Sequence, residues 1–571
     1  MKKTLLLLTM FLPCLLLAQP DPLPDTAFTN GNGIRALINA NGALFHDFQK
    51  GQFLTDETGR SLIRAAGVWI GGLDKGGGLK VSAQLYNKDG RQDFVPGMAN
   101  LSKEENLHWN KVWRVRAEDA KYHWLYYLVH QAVKDTLPSI FGWPGKGNRF
   151  FKQFNGFDLP NDDMTLAPFK DRNLNGIYEP EKGDSPMFAY EDCNSPVFPN
   201  EILWYTFHDN IEHTESAGSI PLMMTVQNQV STFKCIDNKV ASEAVVLHYR
   251  LINNALEDID SCYFGIFTDF QIGCPDDDYI GSIPAASIVY AYNADDFDED
   301  CGAFKGYGEH PSAVALKLIW GPYNEFHKEL PLSTLMVLPE NPPHTSGQGM
   351  PTLDYEFYHY LSGRWKDGTR MTTGGDGYNP LSTDYTTIAY PGLPTADTTN
   401  WTEPNAGNLP GRRKVIASFG PFSLQPGAIN QLLLAFTYFP NESKDNIKIV
   451  DEINFYLHHT FDFIYSGCDE VVFPGCETNI EIPPLTSPLT IAGRFEIRPN
   501  PASDELRLLF RDEKAVLSVE IHDFLGRKVF ENHQASDILI LDVSNWPVGA
   551  YTAIVRQGKE RSVQPFIVMR P

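Results

Sequence analysis

Most apolar stretches in the chain run for five to ten residues and alternate or stay continuously apolar, which predicts strands rather than helices. Gly67–Leu73 and Leu79–Tyr86 flank the Gly-rich segment Asp74–Gly78 and predict two strands around a turn. Ala244–Ile252 alternates around His248 and Arg250, and the Phe- and Tyr-rich run Ser261–Phe270 follows it. Val415–Phe422 and Gln431–Tyr438, separated by Gln425-Pro426-Gly427, predict a hairpin. One segment has helical spacing: Ile447, Val450, Asn454, Leu457 and Phe461 share a face, with Ser443 placed to cap it. His458 and His459 are adjacent on that helix and point about 100° apart, which argues against a shared metal. After an extended stretch holding Pro483, Pro484 and Pro488, seven short runs between Phe495 and Val568 predict a small β-sandwich. With 45 Gly and 40 Pro, the fold expected is mostly β: a multi-domain, β-sandwich-like body with a small Ig-like sandwich at the C-terminus. The divisions are 19–250, 251–475, a Pro-rich linker 476–493, and 494–571.

The first residues change the picture. Lys2 and Lys3 precede an apolar run, Leu5–Leu17, and small Ala18 stands before Gln19. Residues 1–18 therefore read as a cleaved secretory signal peptide. Cys14 invites an acylated-cysteine alternative, but Pro13 precedes it and the apolar run continues past it. No later run reaches about 18 consecutive apolar residues, so no transmembrane helix is expected.

Charge narrows the partners. The formal net charge is −24, and removing Lys2 and Lys3 takes it to −26. Residues 494–571 carry equal numbers of acidic and basic side chains, so the acidic excess belongs to the body. Nucleic acid is not expected as a partner. Acidity suits solubility outside the cell, and it suits cation binding. An exported chain keeps disulfides. Loss of Cys14 leaves an odd number of cysteines: Cys193, Cys235, Cys262, Cys274, Cys301, Cys468 and Cys476. Cys262, Cys274 and Cys301 share one β-rich stretch, Cys468 and Cys476 are close enough to close a small loop, and the connectivity stays open.

The most informative chemical motif spans residues 171–184. Asp171, Asn173 and Asn175 alternate ahead of Gly176, as in the first half of an EF-hand-type calcium loop. A hard cation takes six to eight oxygens, and this spacing lets the three side chains converge while Gly176 permits the turn. Ile177 offers its backbone carbonyl. The twelfth position is Lys182, so Glu181 or Asp184 must supply the closing carboxylate. The cofactor expected is calcium, in a structural role. Asp276, Asp277 and Asp278, with acids from Asp295 to Asp300, form a second acidic cluster that suits either a cation or solvent. There is no G-x-S-x-G, H-E-x-x-H or P-loop, and no catalytic residue is assigned. Trp365, Tyr378 and Trp401 suit either a sugar groove or the core.

Three features of the last domain carry a resemblance: the opening Pro499-Asn500-Pro501, the turn Gly526-Arg527, and Pro547, Gly549 and Tyr551 ahead of a basic tip at Lys559 and Arg561. Residues 494–571 resemble the type A C-terminal sorting domain of the type IX secretion system of Bacteroidetes. The resemblance implies Sec export, recognition by the outer-membrane translocon and sorting machinery, and a secreted or cell-surface destination. The body resembles large exported proteins of uncharacterised function with the same C-terminus, through Ala66–Gly72, Ala167–Asp171, Asp276–Gly281 and Gly420–Phe422. The expected function is an exported structural or binding protein, stabilised by calcium, rather than an enzyme. The alternative is a secreted hydrolase acting on polysaccharide.

Overall fold

A computed structural model describes residues 22–55, 59–160, 164–186, 199–234, 239–339, 345–394 and 399–460, and, toward the C-terminus, 495–499, 502–510, 517–523, 527–535, 538–557 and 560–568. The signal peptide, the Pro-rich linker, Cys193, Cys235, Cys468, Cys476, and the side chains of His458 and His459 lie outside the described residues. The chain is mostly strand, 40% against 13% helix.

Two large antiparallel sheets build the body. One has nine strands. Its main path runs Asp278–Ile283, Ile288–Asn293, Ala313–Trp320, Ile429–Phe439, Ala244–Asn253, Met224–Thr232, Glu201–His208 and Val95–Pro96, and Trp113–Arg116 pairs beside Glu201. The other has five, in the order Leu332–Val337, Arg413–Leu424, Ile259–Phe270, Ile63–Leu73, Leu79–Ala83. The sheets face one another: Tyr249 of the first packs on Phe264 of the second at 5.1 Å between ring centres. Leu247, Leu251, Leu434 and Phe436 meet Ile266 and Ile416 in one core.

The nine-stranded sheet is covered on both faces. Leu432, Leu434 and Phe436 enter the inter-sheet core, while Leu433 and Ala435 point the other way, onto Ile449, Val450, Ile453 and Leu457. Those four lie on the helix Lys448–Thr460, at the expected place; of the expected face Val450 and Leu457 are buried, Asn454 is half-buried, and Phe461 lies outside the described residues. Its cap is not Ser443. Asp445 Oδ1 accepts the N–H groups of Ile447 and Lys448 at 2.9 and 3.0 Å, and a carboxylate two residues nearer the helix reaches those donors better than the Ser443 hydroxyl. The smaller sheet carries its own helix, Asp354–Leu361. Gly71 is required there, because a Cβ would stand 2.9 Å from the Tyr358 ring and 3.0 Å from Leu361.

Two sequence expectations need correction. Arg413–Leu424 and Ile429–Phe439 are not a hairpin: the first pairs with Ile259–Phe270 and Leu332–Val337, the second with Ala244–Asn253 and Ala313–Trp320. The chain crosses from one sheet to the other at residues 425–428, and it crosses again between Asn253 and Ile259. Asn253 locks the two crossings together by donating to the Leu424 and Glu257 carbonyls and accepting the Gly427 N–H. The division at residue 250 also fails, because it cuts Ala244–Asn253, which bonds to neighbours from both sides of it. The body is one sandwich.

The edge strand Leu79–Ala83 is shielded rather than bare. Val81 and Ala83 donate their N–H groups to Ser219 Oγ and Asp93 Oδ2, and the Val81 carbonyl accepts from His213 Nδ1 and Ser216 Oγ. The C-terminal module is a second, small sandwich with its own core. A three-stranded sheet combines Phe495–Arg498, Glu505–Phe510 and Ile538–Asp542, and a four-stranded sheet combines Leu517–Asp523, Lys528–Ala535, Gly549–Gln557 and Glu560–Val568.

Candidate functional site

The loop at 171–184 hangs on an aromatic cluster. Tyr178 is buried among Trp109, Trp143 and Phe151 and donates to the Ile140 carbonyl at 2.8 Å. From that anchor the loop folds through nested side-chain turns. Asp171 Oδ2 accepts the Gly176 N–H at 2.6 Å, Asn173 Oδ1 that of Asn175 at 3.2 Å, and Asn175 Oδ1 that of Ile177 at 2.8 Å. Gly176 has φ 74 with open space where a Cβ would be, so it is the backbone angle that requires glycine. The other Asp171 oxygen, Oδ1, is enclosed and has no hydrogen-bond partner.

The expected ligands divide. Asp171, Asn173, Asn175 and Ile177 belong to the turn. Glu181 pairs with Arg149 at 2.8 Å. Asp184 is fully buried and ties the loop shut, Oδ1 accepting the Arg172 N–H and Oδ2 the Glu179 N–H, at 2.9 and 2.8 Å. Burial pushes its carboxyl up to about 6. Sequence reasoning missed Glu179. Its Oε2 accepts from both Asn173 Nδ2, at 3.0 Å, and Asn175 Nδ2, at 2.7 Å. The Lys182 ammonium beside it leads in holding its carboxyl down to about 2. Glu179 is the ninth position counted from Asp171, and carrying the alternate-residue spacing forward would have reached it. Among the described residues, no three acids of this loop gather within 4.8 Å; the one such group is Cys274, Asp276 and Cys301, whose sulfurs form a disulfide. Cys262 is a buried free thiol.

The second acidic cluster is partly structural. Asp298 accepts the N–H groups of Cys274 and Tyr307, and Asp278 that of Ile272. Burial raises Asp278, raises Asp298 to about 7 and raises Asp277 to about 6. An acid with a raised folded-state value stabilises the fold fully below its unfolded value, and that contribution is lost as pH climbs through the folded value. Asp277→Asn removes one such group. Compared with wild type, the variant should lose less stability between pH 4 and pH 7, read as the shift of the urea midpoint with pH.

A cleft of about 600 Å³ opens among the segments 46–50, 85–91, 269–275, 350–352 and 412–414. Asp269 accepts from Tyr86 Oη at 2.5 Å and lies 3.8 Å from Arg64. Glu215, 3.7 Å from Arg91, is pushed up to about 7 by burial. His46 is buried too, and burial pushes it down to about 4, so its ring is neutral at pH 7. Its Nδ1 accepts the Phe48 N–H, which puts the ring proton on Nε2. That Nε2 is enclosed and faces the Leu85 carbonyl.

The C-terminal sandwich has a distinctive corner. Tyr551 donates to the Pro547 carbonyl at 2.7 Å and packs between Trp546 and Phe566, with ring centres 5.1 and 5.5 Å away. The model of the secretion system C-terminal sorting domain family matches residues 496–569. These residues are a sorting domain of that family. The chain is thereby exported, to the cell surface or beyond it, and the domain is what the type IX machinery recognises.

None of the curated proteins compared matches the chain. Among solved structures, a Bacteroides vulgatus protein with an immunoglobulin-like β-sandwich aligns with 13% of this chain and 91% of its own, at 18% identity and a TM-score of 0.11. A polysaccharide lyase aligns with 61% of this chain and 34% of its own, at 8% identity and a TM-score of 0.18. PorZ, a surface component of the type-IX secretion system of Porphyromonas gingivalis, aligns with 70% of this chain and 47% of its own, at 10% identity and a TM-score of 0.12. The chain thus spans about a third of the lyase and about half of PorZ. Among the described residues, no helix is long and apolar enough to cross a membrane.

Proposed function

We propose that the sorting domain delivers a surface-displayed or secreted binding protein whose body is stiffened by calcium. The observation that carries the calcium reading is Asp171: one carboxylate oxygen is spent on the Gly176 N–H and the other is enclosed without a partner. Leaving a buried carboxylate oxygen unpaired is costly, and a cation removes that cost. Asp171, the amides of Asn173 and Asn175, the Ile177 carbonyl and Glu179 are the oxygens within the loop suited to a hard ion. Rotating the two amides, which now turn their nitrogens to Glu179, exchanges a hydrogen-bonded arrangement for a cation-holding one. With two carboxylates in the set, affinity falls in the extracellular class, about 10⁻⁴–10⁻³ M.

Binding is placed ahead of catalysis because the acids of the cleft are engaged with cations, Asp269 with Arg64 and Glu215 with Arg91. Polysaccharide hydrolysis is the competing reading, since Glu215 and Asp269 share that cleft and Glu215 is held near neutrality. Calcium at ten times its Kd should stabilise the full chain by about 1.4 kcal/mol and slow proteolysis within 171–184. Asp171→Ala should abolish both effects. Equal melting temperatures in calcium and in chelator for the wild-type protein would refute the calcium reading.

A further inference from the structure

The walls of the cleft are unlike the rest of the molecule. In a chain of net charge −24, they present six cationic side chains, Lys50, Arg64, Lys88, Arg91, Arg412 and Lys414, against three carboxylates, Asp89, Glu215 and Asp269; Arg412 is paired with Asp276 at 3.1 Å, and the exposed Lys50 and Lys88 carry the excess. Concentrating one sign of charge in a concave, partly desolvated site focuses the field there and draws in ligands of the opposite sign. The volume, about 600 Å³, lies within the range of small-ligand sites.

The remaining lining argues for a ligand that is more than an anion. Phe48 stands at the cleft 45% exposed, on a backbone with φ 68 that a bulky residue adopts only at a cost of about 1–2 kcal/mol. The ring of Tyr86 is flanked by Arg64 and Lys414, at 5.8 and 5.4 Å from its centre. The Tyr86 ring is thus held by cations, and the exposed ring of Phe48 is the one free to stack on the apolar face of a sugar. Gln49, Asn87 and Gln271 add amide donors and acceptors. Asp269 and Glu215 would repel a bare polyanion, but each can accept from a hydroxyl. Cations, amides, carboxylates and the exposed Phe48 ring together match a polyhydroxylated ligand with spaced carboxylates.

We infer that this cleft binds the uronate units of an acidic polysaccharide. This rests on the binding reading above and names the ligand class for it.

The test uses the full chain in calcium and follows binding by calorimetry. The probes are tetragalacturonate, its methyl ester and the neutral cellotetraose, with citrate as a competitor. The variant is Lys50→Glu/Lys88→Glu, both exposed, with an unchanged melting temperature as its folding control. Tetragalacturonate should bind, its affinity should fall with salt, and esterification or the double variant should each weaken it at least tenfold. Phe48→Ala should weaken it several-fold while leaving the salt dependence in place. Equal affinity for the ester, or for the double variant, would overturn the inference. So would citrate competing as well as the free tetrasaccharide, which would mark an anion site without sugar selectivity. Binding of cellotetraose alone, unchanged by charge reversal, would remove the cleft assignment and leave the binding reading standing. Binding of none of the saccharides would defeat the inference, and cleavage of a bound probe would defeat the binding reading itself.

Discussion

Asp93→Ala should destabilise the body by about 4 kcal/mol or more, among the largest effects of any single substitution in this chain. Asp93 is fully buried, and its two oxygens collect five hydrogen bonds: the N–H groups of Ala83, Thr214, Glu215 and Ser216 at 2.8–3.0 Å, and the Ser216 hydroxyl at 2.6 Å. Alanine leaves the N–H groups of Ala83, Glu215 and Ser216 inside without that acceptor, while Thr214 N–H and the Ser216 hydroxyl keep the Gln92 and Val81 carbonyls, and each unpaired donor costs about 1–3 kcal/mol before water enters. The damage also reaches the sheet. The 213–219 segment covers the outer edge of Leu79–Ala83, and Asp93 holds that cover in place. An uncovered edge is a template for another chain, so the variant should aggregate as well as melt early. Asp93→Asn keeps one acceptor oxygen and should fall between the two. Lys75→Ala, at the exposed tip of the neighbouring turn, should stay within about 0.5 kcal/mol of wild type. Urea denaturation of the four proteins checks this ranking, and an Asp93→Ala midpoint equal to that of Lys75→Ala would contradict it.

The contrast between the two ends of this fold shows what a sequence displays locally. The C-terminal strands were legible because each is short, alternates, and is bounded by turn residues; Leu506 and Leu508 face the core while Glu505 and Arg507 face solvent. The body strands Glu201–His208 and Ala244–Asn253 are buried along their whole length, so their pattern does not say which face meets which layer. That is why the Pro426-Gly427 turn read as a hairpin: a turn between two apolar runs looks the same locally whether the runs pair or part into facing sheets. The helix at 448–460 is visible in its period, but its cap is not, since Ser and Asp are near-equal caps and only the folded geometry selects Asp445 over Ser443. Asp171, Asn173 and Asn175 were legible as a loop with one turn chemistry. The roles of Asp184 and Glu179 were not, since each depends on which backbone or side-chain group the folded loop brings to its oxygens. The cleft was invisible in sequence because its walls come from segments more than 300 residues apart.

Deleting residues 489–571 should abolish passage across the outer membrane while leaving the body folded. The sorting domain has a core of its own, built from Phe495, Leu506, Leu508, Ile521 and Phe566, and among the described residues the clusters of the body contain none of its side chains. Its removal therefore takes no described side chain from the core of the body, and a change in destination with the body's melting transition intact belongs to the lost address rather than to misfolding. The body's melting transition and its response to calcium should survive the deletion. Damage within the domain should act in the same direction. Tyr551→Ala removes the donor to Pro547 and the stacking partner of Phe566, and a buried aromatic of this kind contributes about 3–5 kcal/mol. The measurement that tests this most directly is fractionation of cells expressing either the full chain or the chain ending at Pro488, with quantitative mass spectrometry of body peptides from the medium, the surface and the cell interior. The full chain should be recovered at the surface or in the medium, and the shortened chain, folded, inside the cell envelope. Recovery of the shortened chain outside the cell in the same proportion as the full chain would contradict the account.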